Sequence, residues 1–144
     1  MKKLFLILLA AVALVNSYVF QIGPAFAGQD AKAGKVIAYY FHGTSRCPTC
    51  YKLEQYSKEA IEANFKDALA SGKLEFKVIN VEERGNEHFV QHYQLYTKSL
   101  VLSLAKEGKE VKSENLAKIW EYVGNKQRFY DYVKGKVSTF LEEL

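Results

Sequence analysis

Two cysteines three positions apart, just downstream of an unbroken apolar run, constrain this chain more than any other feature. The run is Val36-Ile-Ala-Tyr-Tyr-Phe41, and a Gly-Thr-Ser loop separates it from Cys47-Pro-Thr-Cys50. Continuous β-branched and aromatic residues of that length read as a strand buried on both faces. From Tyr51 the apolar positions fall at 53, 56, 60, 61, 65, 68 and 69, a helical stripe that ends at Gly72. The dithiol therefore sits where a strand hands over to a helix.

That placement has a chemical consequence. The first turn of a helix presents unpaired N–H groups and the positive end of the peptide dipoles. A thiolate there is stabilised, which brings a cysteine pKa from about 8.5 into a range of about 3.5–7.5. Arg46 adds a positive charge next door, and Pro48 suits the first turn because its missing N–H would have no partner there. Cys47 is expected to be the exposed nucleophile and Cys50 the resolving thiol one turn further in. Glu54, four residues after Cys50, shares its helix face and is a candidate to accept or relay a proton, or to be a salt-bridged carboxylate. His42 at the strand end is a candidate to tune the thiolate, or a surface histidine. Tyr39, Tyr40, Tyr93 and Tyr96 read as core and rim packing.

Three rival uses of the pair fit less well. A structural disulfide closing so short a loop constrains the unfolded chain little. Metal binding needs more ligands; His42, His88 and His92 are the nearest histidines, but the gap from Cys50 to His88 is far longer than finger-type spacing. Haem attachment needs a histidine directly after the second cysteine, and Tyr51 stands there. The alternative kept open is a chaperone that holds copper, zinc or arsenite between the two thiolates. No metal or other cofactor is expected in the chain: it carries no flavin or nicotinamide fingerprint.

The remaining elements complete one domain. Leu74, Phe76 and Val78 alternate with charged residues, the pattern of a strand at a sheet edge. Asn86 is placed to cap a helix with Phe89, Val90, Tyr93 and Tyr96 inward. Leu100 to Leu104 makes a third strand, Glu107-Gly-Lys109 a turn, and Val111 marks a fourth strand. Leu116, Ile119, Trp120 and Val123 give a short helical segment, and Phe129, Val133, Val137, Phe140 and Leu144 line a last helix. The order β–α–β–α–β–β–α predicts an α/β three-layer sandwich: a central mixed sheet with helices on both faces.

The amino terminus reads as an address. Lys2 and Lys3 precede twelve apolar residues, Leu4 to Val15, and Ala25-Phe-Ala27 supplies small residues for a peptidase. Residues 1–27 are therefore expected to be a Sec-type signal peptide, 28–35 a polar tether and 36–144 the domain. An uncleaved anchor through Phe20 stays open as the alternative, the chain's one route to a membrane. No cysteine stands near the junction to carry a lipid. The product would be periplasmic or otherwise exported, where disulfides persist. Without the signal, 18 basic residues face 16 acidic ones, a net of +2 against +4 for all 144 residues. So even a balance excludes the basic face of a nucleic-acid binder, and a monomer is expected.

The strand, loop, CxxC and helix resemble thioredoxins and their exported relatives, and the later elements follow the same plan over about residues 35–144. The strings Phe41-His-Gly-Thr, Arg46-Cys-Pro-Thr-Cys50, Val78-Ile-Asn-Val81, Asn86-Glu-His-Phe89 and Tyr93-Gln-Leu-Tyr-Thr-Lys98 resemble more closely the ArsF-type thioredoxin-like family. That family, labelled nitrophenyl-compound nitroreductase subunit, is associated with arsenic-resistance gene clusters. The resemblance implies dithiol–disulfide exchange through Cys47 and Cys50 with a redox protein partner, a membrane thiol electron carrier among the candidates. Two thioredoxin features are missing. Phe41 and His42 stand where thioredoxin has a buried aspartate, and Ser99 or Leu100 stands where it has a cis-proline in the substrate loop. Trans bonds before Ser99 and Leu100, a shifted loop and a more open Cys47 sulfur are expected.

Overall fold

The computed structural model describes residues 34–144; the expected signal peptide and the expected tether up to residue 33 lie outside them. Lys35, read from sequence as the end of the tether, is the first residue of a strand.

Four strands form one mixed sheet in the order β2-β1-β3-β4. Strand β1 (Lys35–His42) is central and runs parallel to β2 (Leu74–Asn80), with Tyr40 opposite Val78. On its other side it runs antiparallel to β3 (Ser99–Lys106), with Tyr40 opposite Leu100. β3 then turns back into β4 (Lys109–Asn115). Glu107 and Gly108 both have positive φ, 53° and 76°, as a tight two-residue hairpin requires. The alternating β2 is indeed an edge strand.

The two-residue period of β1 divides its side chains between two layers. Val36, Ala38 and Tyr40, with Leu100, Leu102 and Leu104 of β3, face a core completed by helix α1 (Pro48–Asn64) and helix α5 (Lys126–Glu142). Phe129, Val133, Val137 and Phe140 form the inner stripe of α5, as their spacing predicts, but Leu144, expected to extend it, lies past the helix end and is 39% exposed. On the opposite face Phe41 and Val101 meet Phe89 and Tyr93, carried by the short helix α3 (His88–His92) and its C-cap. Helices thus cover both faces of the sheet, the thioredoxin-like sandwich expected from the element order. Helix α4 (Ile119–Tyr122) caps one end through Ile119, and the Trp120 indole N–H donates to the Lys98 carbonyl oxygen at 2.9 Å.

Three local expectations need correction. The stripe from 53 to 69 is not one helix: α1 ends at Asn64, and α2 (Lys66–Ala70) begins after Phe65, whose φ of −131° and ψ of 36° leave the helical region. The break turns Phe65, Ala68 and Leu69 onto the same core as α1. Asn86 does not cap α3. Its amide donates to the Asn80 carbonyl oxygen at 3.0 Å, tying the loop to the end of β2, and Glu87 holds the N-cap position without a side-chain bond. Val90 and Tyr96 are not inward: Val90 is 36% exposed, α3 stops at His92, Gln94 adopts a φ of 50°, and Tyr96 emerges 94% exposed.

Candidate functional site

The motif loop leaves β1 at the sheet's end and is braced before it reaches the cysteines. The Glu82 carboxylate accepts the Thr44 amide at 2.9 Å, and the Asn80 amide donates to Thr44 Oγ1 at 3.3 Å. The Thr44 backbone bond is the largest reason that the Glu82 pKa is lowered. A Cβ at Gly43 would run into Glu82 Oε1, so the carboxylate would have to shift to admit a side chain.

Cys47 is the N-cap of α1, extended at φ −90° and ψ 165°, and Pro48 holds the first helical position. The two cysteines are joined in a disulfide with Cα atoms 5.1 Å apart. The Cys50 amide N–H is shared between the Cys47 carbonyl oxygen at 2.9 Å and Cys47 Sγ at 3.3 Å, so a donor of the first turn also reaches the sulfur that would carry charge. Cys47 is exposed, whereas Cys50 is 2% exposed. One sulfur faces solvent at a positive helix end, and the other lies inside.

Beneath the disulfide lies a polar cluster. The Tyr40 hydroxyl donates to the Cys50 carbonyl oxygen at 2.6 Å, in the core. Burial is the main cause that pushes its pKa up to about 12, with the nearby Glu54 charge adding to it and Arg46 opposing, so the hydroxyl stays a donor. The Arg46 guanidinium is ion-paired with the Glu54 carboxylate and lies over the Tyr51 ring, 4.2 Å from its centroid. Glu54 is thus the charge partner of Arg46. Tyr40, read from sequence as packing, holds the motif from below. Its signal was available: residues 36, 38 and 40 share the face that meets the helix, and a buried tyrosine hydroxyl there needs an acceptor.

The other candidates lie around this centre. His42 Nδ1 donates to the Gly43 carbonyl oxygen at 2.9 Å, and the ring borders a cleft of about 710 Å³ that Glu82, Leu95, Tyr96 and Lys98 also line. Ser99 and Leu100, expected in a loop, instead open β3, 3% and 0% exposed, opposite Phe41 and Tyr40, directly after the stretch 94–98. The peptide bonds before both are trans. His88 Nδ1 donates to the Gly85 carbonyl oxygen at 2.8 Å, and His92 Nε2 meets the Glu110 carboxylate at 3.0 Å. Among the described residues no three His, Cys, Asp or Glu side chains come together as a metal site.

Solved structures match the chain at low identity and low TM-score. Trxlp from Edwardsiella tarda is 16% identical with a TM-score of 0.43, covering 72% of this chain and 85% of its own. Thioredoxin from Fasciola hepatica is 23% identical with a TM-score of 0.38, covering 65% and 82%. Oxidised thioredoxin O2 from Arabidopsis thaliana is 11% identical with a TM-score of 0.39, covering 67% and 76%. No protein-family model matches the sequence, and neither does any curated protein.

Proposed function

We propose that the chain is an exported thiol–disulfide oxidoreductase that exchanges electron pairs with a protein partner through Cys47 and Cys50. The observation that carries this reading is the asymmetry of the two sulfurs: Cys47 exposed as the N-cap of α1, Cys50 buried one turn in. In the oxidised protein a partner thiolate attacks Cys47 Sγ, the bond to Cys50 breaks, and Cys50 leaves as a thiolate that takes up a proton. A second partner thiolate then attacks the partner's own sulfur in the mixed disulfide and releases Cys47. Two electrons and two protons move, and the partner leaves as a disulfide. The reverse sequence oxidises Cys47 and Cys50. The motif strings favour an ArsF-type member working with a membrane thiol electron carrier.

The test is a pair of variants in the exporting cell. Cys50→Ser should accumulate mixed disulfides with a partner, because attack survives and resolution does not; Cys47→Ser should show neither trapping nor exchange. Reduced protein that binds zinc, copper(I) or arsenite tightly, with no partner trapped by Cys50→Ser, would overturn the reading in favour of a chaperone.

A further inference from the structure

Resting on the thiol–disulfide reading, we propose that Arg46 and Glu54 form a compensating charge pair that sets the acidity of the Cys47 thiol. Arg46 precedes the nucleophile in the chain, but its side chain does not run into solvent. It folds along the first two turns of α1, with its guanidinium on the Glu54 carboxylate and over the Tyr51 ring. Cys47, Tyr51 and Glu54 are four and three residues apart, so they follow one another on a single helix face. At 1.5 Å of rise per residue the Tyr51 Cα lies only about 6 Å along the axis from the N-cap. The cation is therefore held along the first two turns of α1, the helix whose N-cap is Cys47, by two partners, one charged and one aromatic.

The burial of the pair gives it reach. Only 13% of the Arg46 side chain and 26% of the Glu54 side chain are exposed, so water screens them less than a surface pair. The Arg46 Nε is buried without a hydrogen-bond partner, so the guanidinium is not fully satisfied by Glu54. Reduction places a negative charge on Cys47 Sγ, and Arg46 attracts it while Glu54 repels it. In the wild-type protein the two effects offset one another, leaving the helix terminus as the main stabiliser of the thiolate. Removing either partner unbalances the site, in opposite directions.

The test reads the Cys47 pKa from the pH dependence of iodoacetamide alkylation, in the reduced protein with Cys50→Ser. Glu54→Gln keeps the shape and removes the negative charge; the pKa should fall by about one unit. Arg46→Gln should raise it by a similar amount, and the double variant should return close to the starting value. Arg46→Lys keeps the charge and should restore most of what Arg46→Gln shifts. In the intact dithiol protein, a tenfold stabilisation of the reduced form by Glu54→Gln would move the potential against glutathione by about 30 mV toward the oxidising side. Single variants that shift the pKa in the same direction, or leave it in place while changing only the melting temperature, would overturn the proposal. Because alkylation needs no partner, a loss of partner trapping with these pKa shifts intact would count against the oxidoreductase reading alone.

Discussion

Tyr40 shows how a single hydroxyl joins strand to motif. Its ring is fully buried in the main core, and its oxygen reaches the Cys50 carbonyl, which lies in the first turn of α1. A phenylalanine would fill the same space but leave the carbonyl without that donor. A hydrogen bond of this kind contributes about 1 kcal/mol net. Tyr40→Phe is thus expected to lower the stability of the oxidised protein by about 0.5–1.5 kcal/mol in urea unfolding. An unchanged or raised midpoint would show that the bond adds nothing to the folded state.

Among the elements, the contact of α1 with α5 has an apolar floor and a charged rim. Tyr56 meets Phe129 edge-on with ring centroids 5.6 Å apart. Above it the Glu59 carboxylate receives Lys126 Nζ at 2.8 Å and the Tyr130 hydroxyl, and Lys126 also lies over the Tyr56 ring at 5.1 Å. The Lys126 bond, then those of Tyr130 and Gln55, lower the Glu59 pKa from 4.5 to about 2. A carboxylate depressed by folding stabilises the native state above its unfolded pKa and loses that contribution as pH falls. Stability should decline between about pH 4.5 and 2, and Glu59→Gln should flatten that part of the curve. Thermal unfolding followed across this range reads the effect directly; an identical slope in the variant would sink it. On the other face of the sheet, Glu110 of β4 accepts the Tyr93 hydroxyl at 2.6 Å and Ser103 Oγ at 2.5 Å, which pins the end of α3 to the hairpin.

For the whole molecule, the sheet order sets where the chemistry can happen. β1 is central and parallel to β2, so its C-terminal end opens where the motif loop, the 81–87 loop and the 94–98 stretch gather. A site at the carboxyl end of a central strand, beside a helix amino terminus, is what this topology makes available. Compartment decides whether the dithiol cycles against an oxidising or a reducing pool. The mature protein is expected to begin at Gly28, and intact mass measurement of the secreted product would show it. A full-length cytoplasmic product would contradict both the export reading and its redox setting.

Sequence alone determined the strand and helix on either side of Cys47, the role of Pro48 at the first helical position, the edge character of β2 and the buried stripe of α5. Those are local properties: period two, period 3.6 and the chemistry of a helix end depend on residues within a few positions of one another. It did not place the break at Phe65, where the helical stripe continues in sequence but the chain has to turn to put Phe65, Ala68 and Leu69 on the core. Nor did it pair Arg46 with Glu54, eight residues apart across the motif, or set Tyr40 under Cys50. Ser99 and Leu100 became buried strand residues because β3 pairs with β1 up to Phe41, a register set by two hydrophobic layers at once. Each of these outcomes depends on which surfaces meet, and only close packing of the folded chain brings those surfaces together.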